Sequence, residues 1–317
     1  MRTSGQAQLS PRSSTAWTTV CRNIVKNWEL YLFLLPTVIY IIVFKYLPMY
    51  GVTIAFKNFN PALGIQGSPW VGLRHFERFF NSFRFWDLLK NTLGLSVFQL
   101  VASFPIPILV ALMLNQVRHK GYKKFVQTVI YAPHFISTVV LVGIMFVFLS
   151  PSSGIVNKAI ELFGGEPIFF MARPEWFRSL YVFSGIWQGT GFGTIVYLAA
   201  LTSVPPELHE AAIVDGATKL QRIRYIDIPS IIPTAVILLI LNVGNIMNIG
   251  FEKAYLMQTS LNISTAEIIP TYVYKVGLIQ AQWSFSAAVG LFNAVINFIL
   301  LISVNWLAKR LSDTSLW

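Results

Sequence analysis

Six mainly apolar stretches alternate along the chain with shorter segments that hold most of its charge. They run from Leu30 to Thr53, Asn91 to Asn115, Phe125 to Leu149, Ser179 to Ala200, Ser230 to Gly250 and Phe285 to Leu307. A helix of about 20 mostly apolar residues crosses the roughly 30 Å hydrocarbon core of a bilayer, so each stretch is long enough for one span. The pattern predicts an all-α polytopic membrane protein with six transmembrane helices. Pro36 and Pro48 predict kinks in the first span, and Pro105 and Pro107 a broken or bent second one. Lys45, near the outer end of the first span, is expected to snorkel.

The totals agree with this reading. Of 317 residues, 55% are hydrophobic and only 12% charged, with a mean hydropathy of +0.60, whereas a soluble domain carries about 25% charged residues. A formal charge of +11 suggests a nucleic-acid binder in a soluble protein. Here the basic residues lie mostly at the ends of apolar runs, as topology and lipid-surface signals do, so no nucleic-acid partner is expected. Cys21 is the only cysteine, which rules out an intrachain disulfide. No early apolar core and no small-residue cleavage pattern point to an export signal, and the polar residues 1–20 are expected to form a mobile tail.

Between the second and third spans, Gln116 to Lys124 carries Arg118, Lys120, Lys123 and Lys124 and no acid, which places this turn in the cytoplasm. With six spans, both termini then fall on the cytoplasmic side. The pattern gives one transmembrane domain over 29–310, flanked by cytoplasmic tails at 1–28 and 311–317. Outside, Leu73, Phe76, Phe80 and Phe83 recur three and four apart, with Arg74, Glu77, Arg78 and Arg84 on the other side. This predicts an amphipathic helix at the membrane interface, with Trp70 and Trp86 at headgroup depth.

The polar island from Glu207 to Pro233 separates two long uncharged runs, Arg178 to Glu207 and Asp227 to Glu252. Glu207 to Val214 reads as one short helix and Ala217 to Ile226 as a second, with Asp215-Gly216 making a tight turn between them. Two short helices around a bend suit a knob that another protein grips. Glu210-Ala211-Ala212, Asp215-Gly216-Ala217, Ile226, Pro229 and Pro233 resemble the EAA loop of permease subunits in binding-protein-dependent ABC importers, in particular the sugar branch. That resemblance implies the type I importer permease fold in a bacterial cytoplasmic membrane. It makes 205–230 a coupling loop that docks into a separate ATPase through Glu207, Glu210, Ala211, Ala212, Asp215, Gly216, Ala217, Ile223, Ile226 and Pro229. Ile223 departs from the family, which has an aromatic residue there. Trp70-Val71-Gly72-Leu73 with Phe76 resembles an external element of the oligosaccharide subgroup, whose members carry complex or acidic polysaccharide fragments.

Polar side chains inside spans are the candidates for contact with a transported molecule. Asn242, Asn245 and Asn248 recur at spacing three, which on a continuous helix is one face, and amides suit hydroxyl-rich ligands because each offers a donor and an acceptor. Trp187, Gln188, Gly189 and Phe192, with Tyr197, combine an amide with aromatic surface, matching the polar rim and apolar face of a sugar ring. By resemblance, the segments 187–192 and 245–251, ending at Phe251, correspond to those that contact sugar in maltose-type importers. Gln99, Asn293 and Asn297 are weaker candidates, and they compete with a packing role. His134, without an acidic partner in the spans, reads as a packing residue, and the Asn262-Ile263-Ser264 sequon as an accidental match.

No G-x-x-x-x-G-K-[ST] phosphate loop, catalytic constellation or metal-ligand cluster is present in the sequence. The chain is expected to hold no cofactor, and ATP and Mg are expected on partner ATPase subunits. The implied assembly is this chain, a second and non-identical permease, two ATPases, an external solute-binding protein and an oligosaccharide, of which alginate-like acidic fragments are the specific expectation. Two alternatives stay open: an ion-coupled secondary sugar carrier, and a permease that couples the ATPase to transport without itself touching the sugar. A membrane enzyme requires ionisable residues converging at one depth, and the spans offer almost none.

Overall fold

The computed structural model describes residues 25–311 and Ser315. The N-terminal tail through residue 24, with Cys21, Arg2, Arg12 and Arg22, and the other C-terminal positions lie outside the described residues. The chain forms two compact units, 1–53 and 54–317. The first holds α1 (Trp28–Ile41), which runs through a π-helical turn at Ile42–Tyr46 into Leu47–Met49. In a regular helix the ring of Pro48 collides with the carbonyl of Phe44, and the wider π turn relieves that collision, so no break follows. Its apolar side chains, Phe33 and Tyr46 among them, are exposed, as in a helix solvated by hydrocarbon.

In the second unit, after a single helical turn at Gly64–Gly67, the helices are, in chain order, α2 (Arg74–Phe80), α3 (Phe85–Ser103), α4 (Pro105–Asn115), α5 (Lys120–Tyr131), α6 (Thr138–Phe148), α7 (Ile155–Leu162), α8 (Pro174–Thr202), α9 (Pro206–Val214), α10 (Lys219–Arg222), α11 (Ile228–Gly244), α12 (Phe251–Met257), α13 (Ile263–Ala266), α14 (Ile269–Tyr274) and α15 (Trp283–Leu311). Among the described residues there is no strand; Lys57 and Trp70 form an isolated antiparallel bridge. The centre is α8, which packs against α3, α4, α5, α11, α12 and α13.

Among the described residues, four helices are long and apolar enough to cross a membrane: Trp28–Phe56, Phe85–Asn115, Lys219–Gly244 and Trp283–Arg310. The pair Lys120–Phe135 and Thr138–Phe148, bent by 95°, makes a fifth if it is one span. Of the six expected spans, two differ from a single apolar helix. The third is not one helix. Ser137 is extended and its hydroxyl accepts the Val140 N–H, so it starts a new helix after the turn at Ala132–Phe135. The fourth, α8, has 29 residues, ample for a span, but is not among the four apolar ones. Its glycines and polar side chains are tolerated because protein surrounds it on several sides.

α3 and α4 meet at a bend at Phe104, just before Pro105, in line with the broken or bent second span expected; Phe104 keeps right-handed helical angles, so the two together are long and apolar enough for one span. Other boundaries move. The fifth span starts earlier and stops sooner than expected. α10 continues through a π turn at Ile223–Asp227 into α11, and the helix ends at Gly244. A regular helix would press the Pro229 ring on the Tyr225 carbonyl, and the π turn again opens the coil in front of the proline. On α2 the buried residue is Phe79, at 1% exposure, set edge-on to Phe85, Phe285 and Phe292, while Leu73, Phe80 and Phe83 are exposed. The predicted apolar face was thus one position off, because only about two turns of helix dock on α15 and the flanking residues are not helical.

Beyond Gly244 the backbone is irregular, with a 3-10 turn at Ile246–Asn248. Irregular backbone at membrane depth needs protein partners for its polar groups. Asn297 and Asn293 on α15 supply them: the Met247 N–H donates to Asn297 Oδ1 at 3.0 Å, and Asn293 Nδ2 donates to the Met247 carbonyl at 3.4 Å.

One close approach decides how α8 crosses α5. A Cβ placed on Gly191 would run into the backbone carbonyl of Ile130 and come within 3.0 Å of the Tyr131 nitrogen. Backbone cannot move aside as a flexible side chain can. Gly191→Ala is expected to destabilise the fold by about 1–3 kcal/mol, the usual cost of overpacking. Gly189→Ala, with nothing within 4 Å of the added carbon, is expected to be neutral or slightly stabilising. Thermal unfolding of the detergent-solubilised protein checks both.

Candidate functional site: a cavity and an exposed loop

Two features outside ordinary helix packing stand out, and α11 with α10 connects them. The first is a cavity of about 370 Å³ enclosed by α3, α4, α8 and the end of α11. Ser96, Gln99 and Ser103 enter it from α3, Tyr197 and the bare backbone edge of Gly193 from α8, and Asn242 and Asn245 from the end of α11. The side-chain amide nitrogens of Asn242 and Asn245 donate to the carbonyls of Leu238 and Leu241, at 2.8 and 3.2 Å. The Ser96 hydroxyl and Gln99 Oε1 are buried without a hydrogen-bond partner. Buried polar atoms left unpaired are costly, so this lining has capacity for a polar guest.

The sequence-predicted path residues do not all meet here. Asn242 and Asn245 do. Asn248 does not share their face, because the helix ends at Gly244; its amide oxygen accepts from Asn293 Nδ2 at 2.7 Å. Gln188 holds the bend between α5 and α6 by donating to the Ile136 carbonyl at 2.7 Å. Phe192 lies parallel to the His134 ring at 4.1 Å, which gives that histidine its packing role. Trp187 belongs to a separate apolar groove with Leu141, Phe148 and Phe183, and Gly189 faces open space. Phe251 stacks on Tyr255 and touches Tyr274. The face of α8 that reaches the cavity is the one bearing Gly193, Val196 and Tyr197.

The second feature is the loop joining α8 to α11. α9 has no buried residue, and Leu208, Ile213, Val214 and Leu220 are exposed beside Glu207 and Glu210. Gly216 has φ of +80°, the left-handed conformation that ends a helix at little cost only in glycine. The Ala217 N–H returns to the Ala212 carbonyl at 2.8 Å and the Gly216 N–H to the Ile213 carbonyl at 3.0 Å, a Schellman closure. Thr218 then opens α10 with a reciprocal capping box to Gln221. The turn predicted at Asp215-Gly216 is present; the second short helix is instead the first part of a 26-residue helix.

A residue the sequence did not single out anchors this loop. Asp227 is fully buried, and its carboxylate gathers three segments. His209 Nε2 of α9 lies 3.3 Å from Oδ1, Gln116 Nε2 donates to Oδ2 at 3.0 Å, and Asn115 Nδ2 donates to Oδ1 at 3.4 Å. An acid set between Ile226 and Ile228 was the available signal, but its amide partners Asn115 and Gln116 lie over a hundred residues away. Lys253 was also missed. It is 8% exposed, and its ammonium donates to the Tyr181 carbonyl at 2.7 Å. Burial draws its pKa down to about 8, so it remains largely protonated at neutral pH. Among the described residues no group of three or more metal-ligating side chains comes together.

Residues 103–313 match the family described as binding-protein-dependent transport system inner membrane component. The chain is 48% identical over 294 residues to the polygalacturonan/rhamnogalacturonan transport system permease protein YteP of Bacillus subtilis (strain 168), covering 93% of this chain and 92% of that protein. It is 27% identical over 286 residues to the arabinooligosaccharides transport system permease protein AraP of the same organism, covering 90% and 88%. Among solved structures, a bacterial ABC transporter involved in the import of the acidic polysaccharide alginate superposes with a TM-score of 0.86 at 43% identity, over 93% of this chain and 99% of that one. A multi-pass chain with this fold and a family match over most of its length belongs to the binding-protein-dependent transport system inner membrane components.

Proposed function

We propose that this chain is the permease subunit that forms, with a second and non-identical permease, the path for ATP-driven import of acidic oligosaccharides delivered by an external solute-binding protein. The observation that carries the substrate class is the joint similarity to a permease named for polygalacturonan and rhamnogalacturonan and to a transporter of alginate. Each of these names a carboxylated polysaccharide. The alginate transporter is also known in complex with a periplasmic protein holding an alginate pentasaccharide, which supports an external delivery partner here.

The chemistry of the two features fits this role. Two helices pinned by a left-handed glycine and a capping box form a knob of fixed shape, with apolar side chains and the carboxylates of Glu207 and Glu210 presented outward. Such a knob seats in a groove of a separate ATPase, which holds ATP and Mg. Closure of an ATPase pair moves α9 and α10. Asp227 passes that movement to the ends of α4 and α11 through Gln116, Asn115 and its own helix. The cavity at Asn242, Asn245 and Gln99 then opens alternately to the two sides, which requires two discrete arrangements of the permease pair. The loop and both termini lie in the cytoplasm in this reading. The absence of a carboxylate at the cavity argues against a proton- or sodium-driven carrier, which needs one for coupling.

The test is ATPase activity of the reconstituted complex with binding protein loaded by uronic or neutral oligosaccharides. Stimulation by uronic oligomers alone is expected. Glu210→Ala and Gly216→Pro should leave assembly intact and abolish most of that stimulation; unchanged stimulation in both variants removes the coupling assignment.

Asn242→Leu combined with Asn245→Leu is expected to impair sugar uptake with the complex still assembled. Normal uptake kinetics would instead mean that the partner permease handles the sugar.

Removing one member of a buried, hydrogen-bonded charged group typically costs about 3–5 kcal/mol. Asp227→Ala is expected to approach that cost and His209→Ala to cost less, with a coupling energy of about 0.5–3 kcal/mol between them in a double-mutant cycle. Thermal unfolding of the complex reads both. Additive losses would show that His209 and Asp227 do not act together.

A further inference from the structure

Two cations lie against α3 and α8 between the start of α8 and the cavity, and neither has a carboxylate within 4 Å among the described residues. Lys253 is held only by neutral groups: its ammonium donates to the Tyr181 carbonyl and sits 4.7 Å from the centre of the Tyr181 ring. Arg178, seven residues or about 10 Å before Gly185 along α8, donates from Nη2 to Asn91 Oδ1 at 3.2 Å, and its Nε is buried without a partner. Glycines open the space for both. A Cβ on Gly94 would stand 3.1 Å from the Arg178 guanidinium carbon, and one on Gly185 would stand 3.2 Å from the Lys253 ammonium and 3.4 Å from Gln99 Nε2. Lys253 and Gln99 thus both border Gly185, and Gln99 lines the cavity.

A buried charge is costly unless something of opposite sign compensates it. Lys253 is buried and Arg178 half-buried, and neutral dipoles fix both in place without cancelling their charge. Glu267, whose backbone carbonyl accepts from the same Asn91 that holds Arg178, has its carboxylate engaged by Arg84 and Lys275, both at 3.2 Å. Glu252, next in sequence to Lys253, is exposed.

We propose that Lys253, with Arg178 above it and Gln99 beside it, forms an anion-selecting wall that favours carboxylated sugar units over neutral ones on the way into the cavity. This rests on the importer reading above and adds to it the residues that set the preference. The missing counter-charge is supplied by the uronate carboxylate in transit, while Gln99 offers its unpaired oxygen to a sugar hydroxyl. Because the cations already have neutral partners, they stay in position when the path is empty, so a carboxylate meets a preset charge.

The test uses the complete transporter in proteoliposomes, with binding protein at matched occupancy by a uronate oligomer or its carboxyl-reduced counterpart. Loss of one charge facing a carboxylate across a partly dry site is worth about tenfold. Lys253→Met is expected to lower the uronate-to-neutral uptake ratio by about that factor, chiefly by slowing the uronate, and Lys253→Arg to restore the ratio. Arg178→Gln is expected to shift it in the same direction and decides the matter if Lys253→Met fails to assemble. Equal slowing of both sugars, or an unchanged ratio in both variants, would mean that the two cations only tie α12 and α3 to α8, and the proposal falls. A wild-type complex that takes up only the neutral sugar, or neither, overturns the importer reading for acidic sugars itself.

Discussion

The passage of Gly191 against the backbone of Ile130 and Tyr131 is the contact on which the arrangement of the bundle depends. Two helices can approach this closely in lipid only where one of them lacks a side chain, because apolar tails provide no hydrophobic drive and packing must do the work. The approach sets α8 at the centre, within reach of six other helices. It also explains why the least apolar long helix is the most enclosed one. Facing protein on several sides, α8 can carry Arg178, Ser184, Gln188 and Thr194, each paired with a carbonyl or an amide of its own or a neighbouring helix.

Much of this was readable from the sequence, and the failures have physical causes. The turn at Asp215-Gly216 was legible because only glycine takes φ of +80° cheaply and the residues around it cap both helices locally. The membrane class was legible because length and hydropathy are local quantities. Helix continuity was not. Pro48 read as a kink and Pro105 as a break or bend, yet the span continues past both, as it does past Pro229, in two of the three cases through a π turn. Conversely, Asn242, Asn245 and Asn248 read as one face because a continuous helix was assumed, and the chain stops coiling at Gly244 with no proline to announce it. The second shortfall was in long-range pairing. Nothing in the neighbourhood of Asp227 names Gln116 or His209, and a lysine after a span gives no sign that it folds back against Tyr181.

The amides divide by what surrounds them. Asn293 and Asn297 spend their hydrogen bonds on the unwound backbone at Met247, and Asn262 does the same for the carbonyls of Met171 and Met257. Asn242 and Asn245, by contrast, bond only back to their own helix and leave a face toward the cavity. Residue type and spacing do not separate these cases; the presence of irregular backbone nearby does. Candidate contact residues in such a chain are therefore best sought where an amide faces regular helix across a gap.

The helix from Lys219 to Gly244 is 26 residues, or about 39 Å, long. Its middle, Ile231, is 2% exposed and locked in a cluster with Leu198 and Leu201. That makes it a beam with a fulcrum near its centre and two nearly equal arms. A tilt of about 5° about that point displaces each end by roughly 1.7 Å in opposite senses, given 1.5 Å of rise per residue. The mechanical advantage is then close to one, so a stroke applied at the loop reaches the cavity at full size with its direction reversed. Moving the tight cluster one turn toward the cavity end would trade stroke for force, and moving it one turn toward the loop would do the reverse.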